Sequence, residues 1–152
     1  MKLLTIQSKE VIDIVNRDGI YFADKHKSTY YKISPGCYNE LMNRLDGKCP
    51  IFAWYKINGN NASLNDDIIK LADSRGVGTG VRILLEVPDN EVLLSDFYNY
   101  SDMIFLETEG AYDFKDIPTW KDVFDYVDEN VLDIQALIKC IKKEWIIKYE
   151  EE

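Results

Sequence analysis

Five consecutive apolar residues, Ile51-Phe52-Ala53-Trp54-Tyr55, constrain the fold more than any other feature of the chain. A run of strand length with no polar member leaves no side for water, so it reads as a strand covered on both faces. Around it, apolar residues come in short blocks separated by turn formers, some at strand spacing and some at helical spacing. Such a mixture predicts an α+β domain: a small mixed or antiparallel sheet with several short helices over residues 1–149, and an acidic tail at 150–152. A length of 152 residues fits one domain of this kind. A domain of that size buries roughly 70% of the surface its unfolded chain would expose, so it stands without disulfide staples.

Leu3–Gln7 reads as the first strand, mostly apolar with polar Thr5 and Gln7. Ser8 stands at an N-cap, Val11, Ile12, Ile14 and Val15 share a helical face, and Gly19 supplies the stop. Ile20–Ala23 reads as a second strand, while Asp24–Ser34 is polar and irregular and holds the only histidine, His26. Ser34-Pro35 opens a second helix; Tyr38, Leu41, Met42 and Leu45 follow at i, i+3, i+4 and i+7, and Gly47 ends it. Asn58-Gly59-Asn60-Asn61 is loop by composition, and a short helix over Asp66–Ala72 has Ser63 or Asn65 as its cap. Gly76, Gly78 and Gly80 lead into Val81–Val87, the clearest strand of the chain. Pro88-Asp89-Asn90 signals a turn and Val92–Phe97 a further strand, so Val81–Phe97 is expected to form a hairpin. Pro118-Thr119 opens a helix carrying Trp120, Val123, Phe124 and Val127. Over 131–149, Ile134, Leu137, Ile138, Ile141 and Trp145 fit a helix while Ile134, Ala136 and Ile138 fit a strand, and both readings stand.

Formal net charge is −9, from 27 acidic against 18 basic side chains. A field of that sign repels phosphate backbones, so non-specific nucleic-acid binding is disfavoured, although one local basic pocket for a nucleotide is not. No apolar run approaches the roughly 20 residues of a membrane span, and Met1–Ser8 turns polar too soon for a signal peptide. Cys37, Cys49 and Cys140 are odd in number and widely spaced, which fits a reducing compartment; a cytoplasmic location is the expectation.

Catalytic motifs are few. Nothing in the sequence pairs His26 with a cysteine, and Cys140 among isoleucines reads as a small core residue. One histidine without a C-x-x-C pair cannot build the usual zinc sets, so no metal and no cofactor are expected. Asp66-Asp67 serve the first turn of their helix, where negative charge opposes the macrodipole. The glycines at 76, 78 and 80 follow a helix and open a strand, the reverse of a dinucleotide fingerprint, and read as a flexible connection. More informative are polar residues inside apolar runs: Gln7, Glu86, Asp96 and Gln135. A buried amide or carboxylate needs a partner or costs about 1–3 kcal/mol. Brought together by a sheet, these four would floor a polar pocket beside Trp54 and Tyr55.

Leu4-Thr5-Ile6-Gln7, Pro50–Tyr55, Gly80-Val81-Arg82 through Leu85–Asp89, Val92–Phe97, Trp120–Asp125 and Ile134-Gln135-Ala136 follow one another in a familiar order. Taken together they resemble the bacterial and phage family called domain of unknown function 3841, whose stretches include L-W-T-I-Q, P-x-W-A-W-Y, W-x-x-I-F-D and I-Q-A. The resemblance covers nearly the whole chain. Tyr100-Ser101 stands where the family often has Trp-His, so a mechanism needing that histidine does not carry over. The family brings no established activity; the resemblance implies attention to Gln7, Trp54, Tyr55, Asp96 and Gln135. A looser likeness to ADP-ribosyltransferase-like folds lacks the arginine or histidine those enzymes carry on their first strand, and is analogy.

The expected function is binding of a small polar ligand, with a nucleotide among the classes, at Gln7, Trp54, Tyr55, Glu86, Asp96 and Gln135. An alternative is an NAD-using ADP-ribosyltransferase-like enzyme in which Glu86 or Asp96 stabilises developing positive charge. A third is an acidic interaction or inhibitor module whose surface mimics nucleic acid.

Overall fold

In the computed structural model, which describes residues 1–75 and 80–151, the apolar run lies inside strand β3 (Ile51–Ile57) near the middle of an antiparallel sheet. The strands beside it are β1 (Lys2–Gln7) and β7 (Ile134–Ile138). Beyond β1 come β5 (Val81–Glu86) and the edge strand β9 (Ile146–Glu150); beyond β7 lies the other edge, β6 (Leu93–Asp96). A two-residue strand, β4 (Asn60–Asn61), turns back on β3, and β2 (Ile20–Tyr21) pairs with β8 (Ile141–Lys142) outside the main sheet. The architecture is α+β, with helices on both faces of that sheet.

Side-chain alternation assigns the faces. On one, Leu3, Ile51, Ala53, Ile83, Leu85, Ala136 and Ile138 pack under Val11, Ile12 and Val15 of helix α1 (Lys9–Asp18). The other face carries two separate apolar clusters. Leu4, Trp54 and Ile57 meet Ile68, Ile69 and Ala72 of helix α4 (Asp66–Arg75), which Asn65 caps by accepting from the Asp67 N–H at 2.8 Å. Leu137 meets Cys37 and Leu41 of α3 (Pro35–Arg44), Tyr100 and Met103 of α5 (Phe97–Glu109), and Val123 of α6 (Trp120–Phe124). Each fully buried aliphatic side chain here contributes about 1.5–3 kcal/mol of transfer free energy. Residues 29–33, which read as irregular, form a short helix, α2 (Thr29–Ile33).

The expected hairpin over Val81–Phe97 does not form. β5 and β6 lie three strands apart, separated by β1, β3 and β7, and four successive antiparallel pairings make them run in the same direction. Pro88-Asp89-Asn90 does bend the chain, through a 3-10 turn at Asp89–Glu91, but both edges of β5 are already occupied by β1 and β9. Local turn chemistry carries no information about which edge is free. Over 131–149 the strand reading wins: all five residues of β7 are buried, since an inner strand has no exposed side. The acidic tail begins later than expected, because Glu150 pairs with Arg82 as the last residue of β9.

Helix α5 went unassigned in the sequence. Its start is fixed by Asp96, whose carboxylate accepts from the Asn99 N–H at 3.1 Å. Tyr100, on its inner face, is 3% exposed, and its hydroxyl has no hydrogen-bond partner among the described residues. Burial pushes the phenol's pKa up. Because an orphaned buried hydroxyl costs stability, Tyr100→Phe is expected to raise the unfolding free energy by about 1 kcal/mol. Thermal and urea unfolding measure this, and a loss of stability instead would mean the hydroxyl is bonded.

Candidate functional site

A cavity opens beside β1 and β3, lined from both faces of the sheet: by Phe52 and Trp54 of the helix-rich face and by Ile51 and Ala53 of the α1 face. The floor there is built by the upper halves of β1 and β3, which pair only at Leu4 and Trp54 among the described residues, whereas β1 and β5 pair along their whole length. Past that point the Thr5 hydroxyl, 1% exposed, donates to the Phe52 carbonyl at 2.7 Å and so stands in for a main-chain ladder bond. The same oxygen accepts from the Gln7 amide at 2.8 Å. The two strands part here, and a cavity of about 240 Å³ opens at the gap. Its lining includes Thr5, Gln7, Phe52, Trp54 and Gln135 from the sheet, Ala72 and Arg75 from α4, and Lys27, Tyr30 and Tyr38 from the opposite wall.

Three of the six expected residues meet here: Gln7, Trp54 and Gln135. The other three do not. Tyr55 alternates to the opposite face and packs on the α1 side of the core, its ring 5.9 Å from the Lys56 ammonium. Glu86 sits exposed at the far end of β5 and pairs with the N-terminal ammonium at 3.2 Å. Asp96 is consumed as the α5 cap. A transferase reading that relied on Glu86 or Asp96 therefore has neither carboxylate at the cavity.

The chemistry of the cavity is mixed. Trp54 is held edge-on to Phe97 at 4.9 Å between centroids, and Tyr30 leans on Phe52 at 4.8 Å, so rings wall the floor on both sides. Burial pushes the Tyr30 phenol up, and burial together with Cys49 does the same for Tyr38; both remain neutral donors at ordinary pH. Gln135 is 6% exposed, and its Oε1 has no hydrogen-bond partner among the described residues. Arg75 Nε lies 3.2 Å from Asp133 Oδ1, though its N–H does not aim at that oxygen, and Asp133 Oδ1 also accepts from the Asn58 N–H at 3.0 Å. Asp133 thus anchors Arg75 on the wall and ties α4 to the β3–β4 turn.

Sequence reading missed Thr5 as a bridging group and Arg75, Lys27, Tyr30 and Tyr38 as wall residues. Tyr30 and Lys27 lie in the stretch taken as irregular, and nothing local announces that it folds over β3. Arg75, as the last residue of α4, reads as an ordinary basic helix terminus. Of the glycine run, Gly76 and Gly78 lie outside the described residues. Gly80 has a steric reason: a Cβ there would run into the Gln7 carbonyl.

Nucleophilic cysteine chemistry finds little support at the buried thiols. Burial, with Glu107 beside it, pushes Cys37 up to about 12, and burial raises Cys140 as well. Thiolates form poorly under such conditions. Among the described residues no cluster of three or more His, Cys, Asp or Glu could hold a metal ion, and no helix is long and apolar enough to cross a membrane. No known family model, curated protein or solved structure matches this chain.

Proposed function

We propose that the protein binds a small polar molecule, with nucleotides the class that fits best, in the crevice between α4 and α2. The observation that carries this reading is Gln135, a buried amide that lines the cavity with Trp54 and whose Oε1 has no hydrogen-bond partner among the described residues. An orphaned buried acceptor costs about 1–3 kcal/mol, and a ligand N–H reaching the floor would complete it. A primary amide supplies both an acceptor and donors, which is the edge that an adenine or amide group recognises bidentately. Tyr30, Phe52 and Trp54 add ring surface for a flat base, and Arg75 with Lys27 adds positive charge for an anionic end.

Calorimetry and thermal shift against nucleotides, cyclic and ADP-ribose-derived ones included, test the reading. Gln135→Leu keeps the volume but deletes the amide. The variant is expected to weaken nucleotide binding by at least about tenfold, or 1.4 kcal/mol, while leaving the unliganded fold as stable or more so. Absence of binding by any nucleotide, or a Leu variant that binds as well as the parent, would remove the proposal.

A further inference from the structure

Where β1 and β3 part, the main chain of both strands is left facing the cavity. The Val87 N–H donates to the Met1 carbonyl at 2.9 Å, so Met1 turns its main-chain groups toward β5. Alternation sends those of Leu3, Thr5 and Gln7 the same way, and those of Leu4 and Ile6 toward β3. On β3, the Phe52 carbonyl receives the Thr5 hydroxyl, so Phe52 and Trp54 turn theirs toward β1. The Leu4–Trp54 register sets Ile6 opposite Phe52, where a regular ladder would make its next doubly bonded pair. Among the described residues that pair is missing, and both residues line the cavity. The sheet does not end here, since β1 stays paired with β5 as far as Gln7 and β3 with β7 back to Ile51. The gap is internal, and main-chain groups left without partners inside a fold are costly.

We infer that this main chain is a binding edge: the Ile6 N–H and C=O hold the base of the nucleotide, and Thr5 is the positioning residue that keeps them free for it. The inference rests on the nucleotide reading of the cavity and assigns the base to the strand gap. The N–H and C=O of one extended residue point the same way, and together they match a planar edge that carries an acceptor beside a donor. A nucleobase has that pattern on its Watson–Crick edge.

Thr5 acts through two hydrogen bonds. Its proton goes to the Phe52 carbonyl at 2.7 Å, the oxygen that the Ile6 N–H would claim in a closed ladder. With the proton spent, the hydroxyl oxygen can only accept, and it accepts from the Gln7 amide at 2.8 Å. The Gln7 nitrogen is thereby turned to Thr5, and its carbonyl oxygen has no partner among the described residues. One buried hydroxyl thus stops the ladder from closing and orients the amide beside the gap.

Amide hydrogen exchange followed by NMR, with calorimetry against AMP, tests the inference. In the free protein the Ile6 amide is expected to exchange at least about tenfold faster than that of Leu4, and AMP should slow it. N6,N6-dimethyl-AMP, which lacks the donor, should bind about tenfold or more weakly than AMP. Thr5→Val keeps the shape of the side chain without the hydroxyl. It should let Ile6 claim Phe52, slowing the Ile6 amide in the free protein while AMP affinity falls about tenfold; Thr5→Ser, which restores the hydroxyl, should restore both. A purely structural role for Thr5 would speed exchange on its removal, not slow it. An Ile6 amide as slow as that of Leu4 in the free parent, or full affinity for the dimethyl analogue, would overturn the inference even if Thr5→Val fails to fold. So would binding of another nucleotide but not AMP, which leaves the cavity a nucleotide site held by side chains. Failure of every nucleotide to bind would remove the underlying reading, and the base assignment with it.

Discussion

Asp133→Ala is expected to lower the unfolding free energy by about 3 kcal/mol. The carboxylate is 4% exposed and serves two elements at once. It receives the Asn58 N–H at 3.0 Å, in a turn where Asn58 and Gly59 both adopt positive φ, 50° and 77°. It also lies 3.2 Å from the Arg75 guanidinium, whose side chain is only 17% exposed. Alanine leaves a largely buried cation and a turn N–H without their acceptor together, and uncompensated buried charge is the costlier of the two. Asp133→Asn keeps an acceptor for Asn58 but not the charge, so its loss should be smaller. Urea unfolding reads both. A loss below about 1 kcal/mol for alanine would place this pair with ordinary surface ion pairs. Because Arg75 stands on the cavity wall, nucleotide affinity should fall in both variants.

Gly80→Ala is the second. The new Cβ would collide with the Gln7 carbonyl oxygen and sit 3.0 Å from the carbonyl carbon. Both are backbone atoms of β1, fixed by the Gln7–Val81 register with β5, so neither can swing aside. Overpacking of this kind costs about 1–3 kcal/mol. Since relief requires β1 to shift where it parts from β3, Gln7 moves and the cavity changes shape with it. Gly36→Ala provides the contrast. Its Cβ would come 2.7 Å from Glu107 Oε1, but that is the end of a flexible side chain, so the cost should stay near 1 kcal/mol through strained bonds to the Gly36 and Cys37 N–H groups. If Gly80→Ala proves no worse than Gly36→Ala, the close approach of β1 and β5 is softer than the geometry implies.

Much of the local structure was legible. Ser8 and Gly19 bracket α1, Ser34-Pro35 opens α3, and Thr119 with Asp122 forms the capping box of α6, because caps and stops act within a few residues. Half of the proposed site was legible too: Gln7 and Gln135 were noticed because an amide inside an apolar strand must be accounted for. Glu86 and Asp96 were noticed for the same reason and proved to serve an ion pair and a helix cap at the ends of their strands. A polar residue at the margin of an apolar run has such local uses open to it; one in the middle, as Gln135 is within β7, has fewer.

By itself the sequence determined that β3 would be an inner strand, that short helices would cover a sheet, and where α1, α3 and α6 begin, since these follow from side-chain alternation and from signals that reach only three or four positions. Tertiary structure alone decided which strands lie side by side: that β9 rather than β6 takes the free edge of β5, and that β1 and β3 separate beyond Leu4. Strand neighbours are chosen by the sum of packing over both faces of the whole sheet, a quantity no single segment contains. The crevice opens where β1 and β3 part, so its position too belongs to the assembled fold.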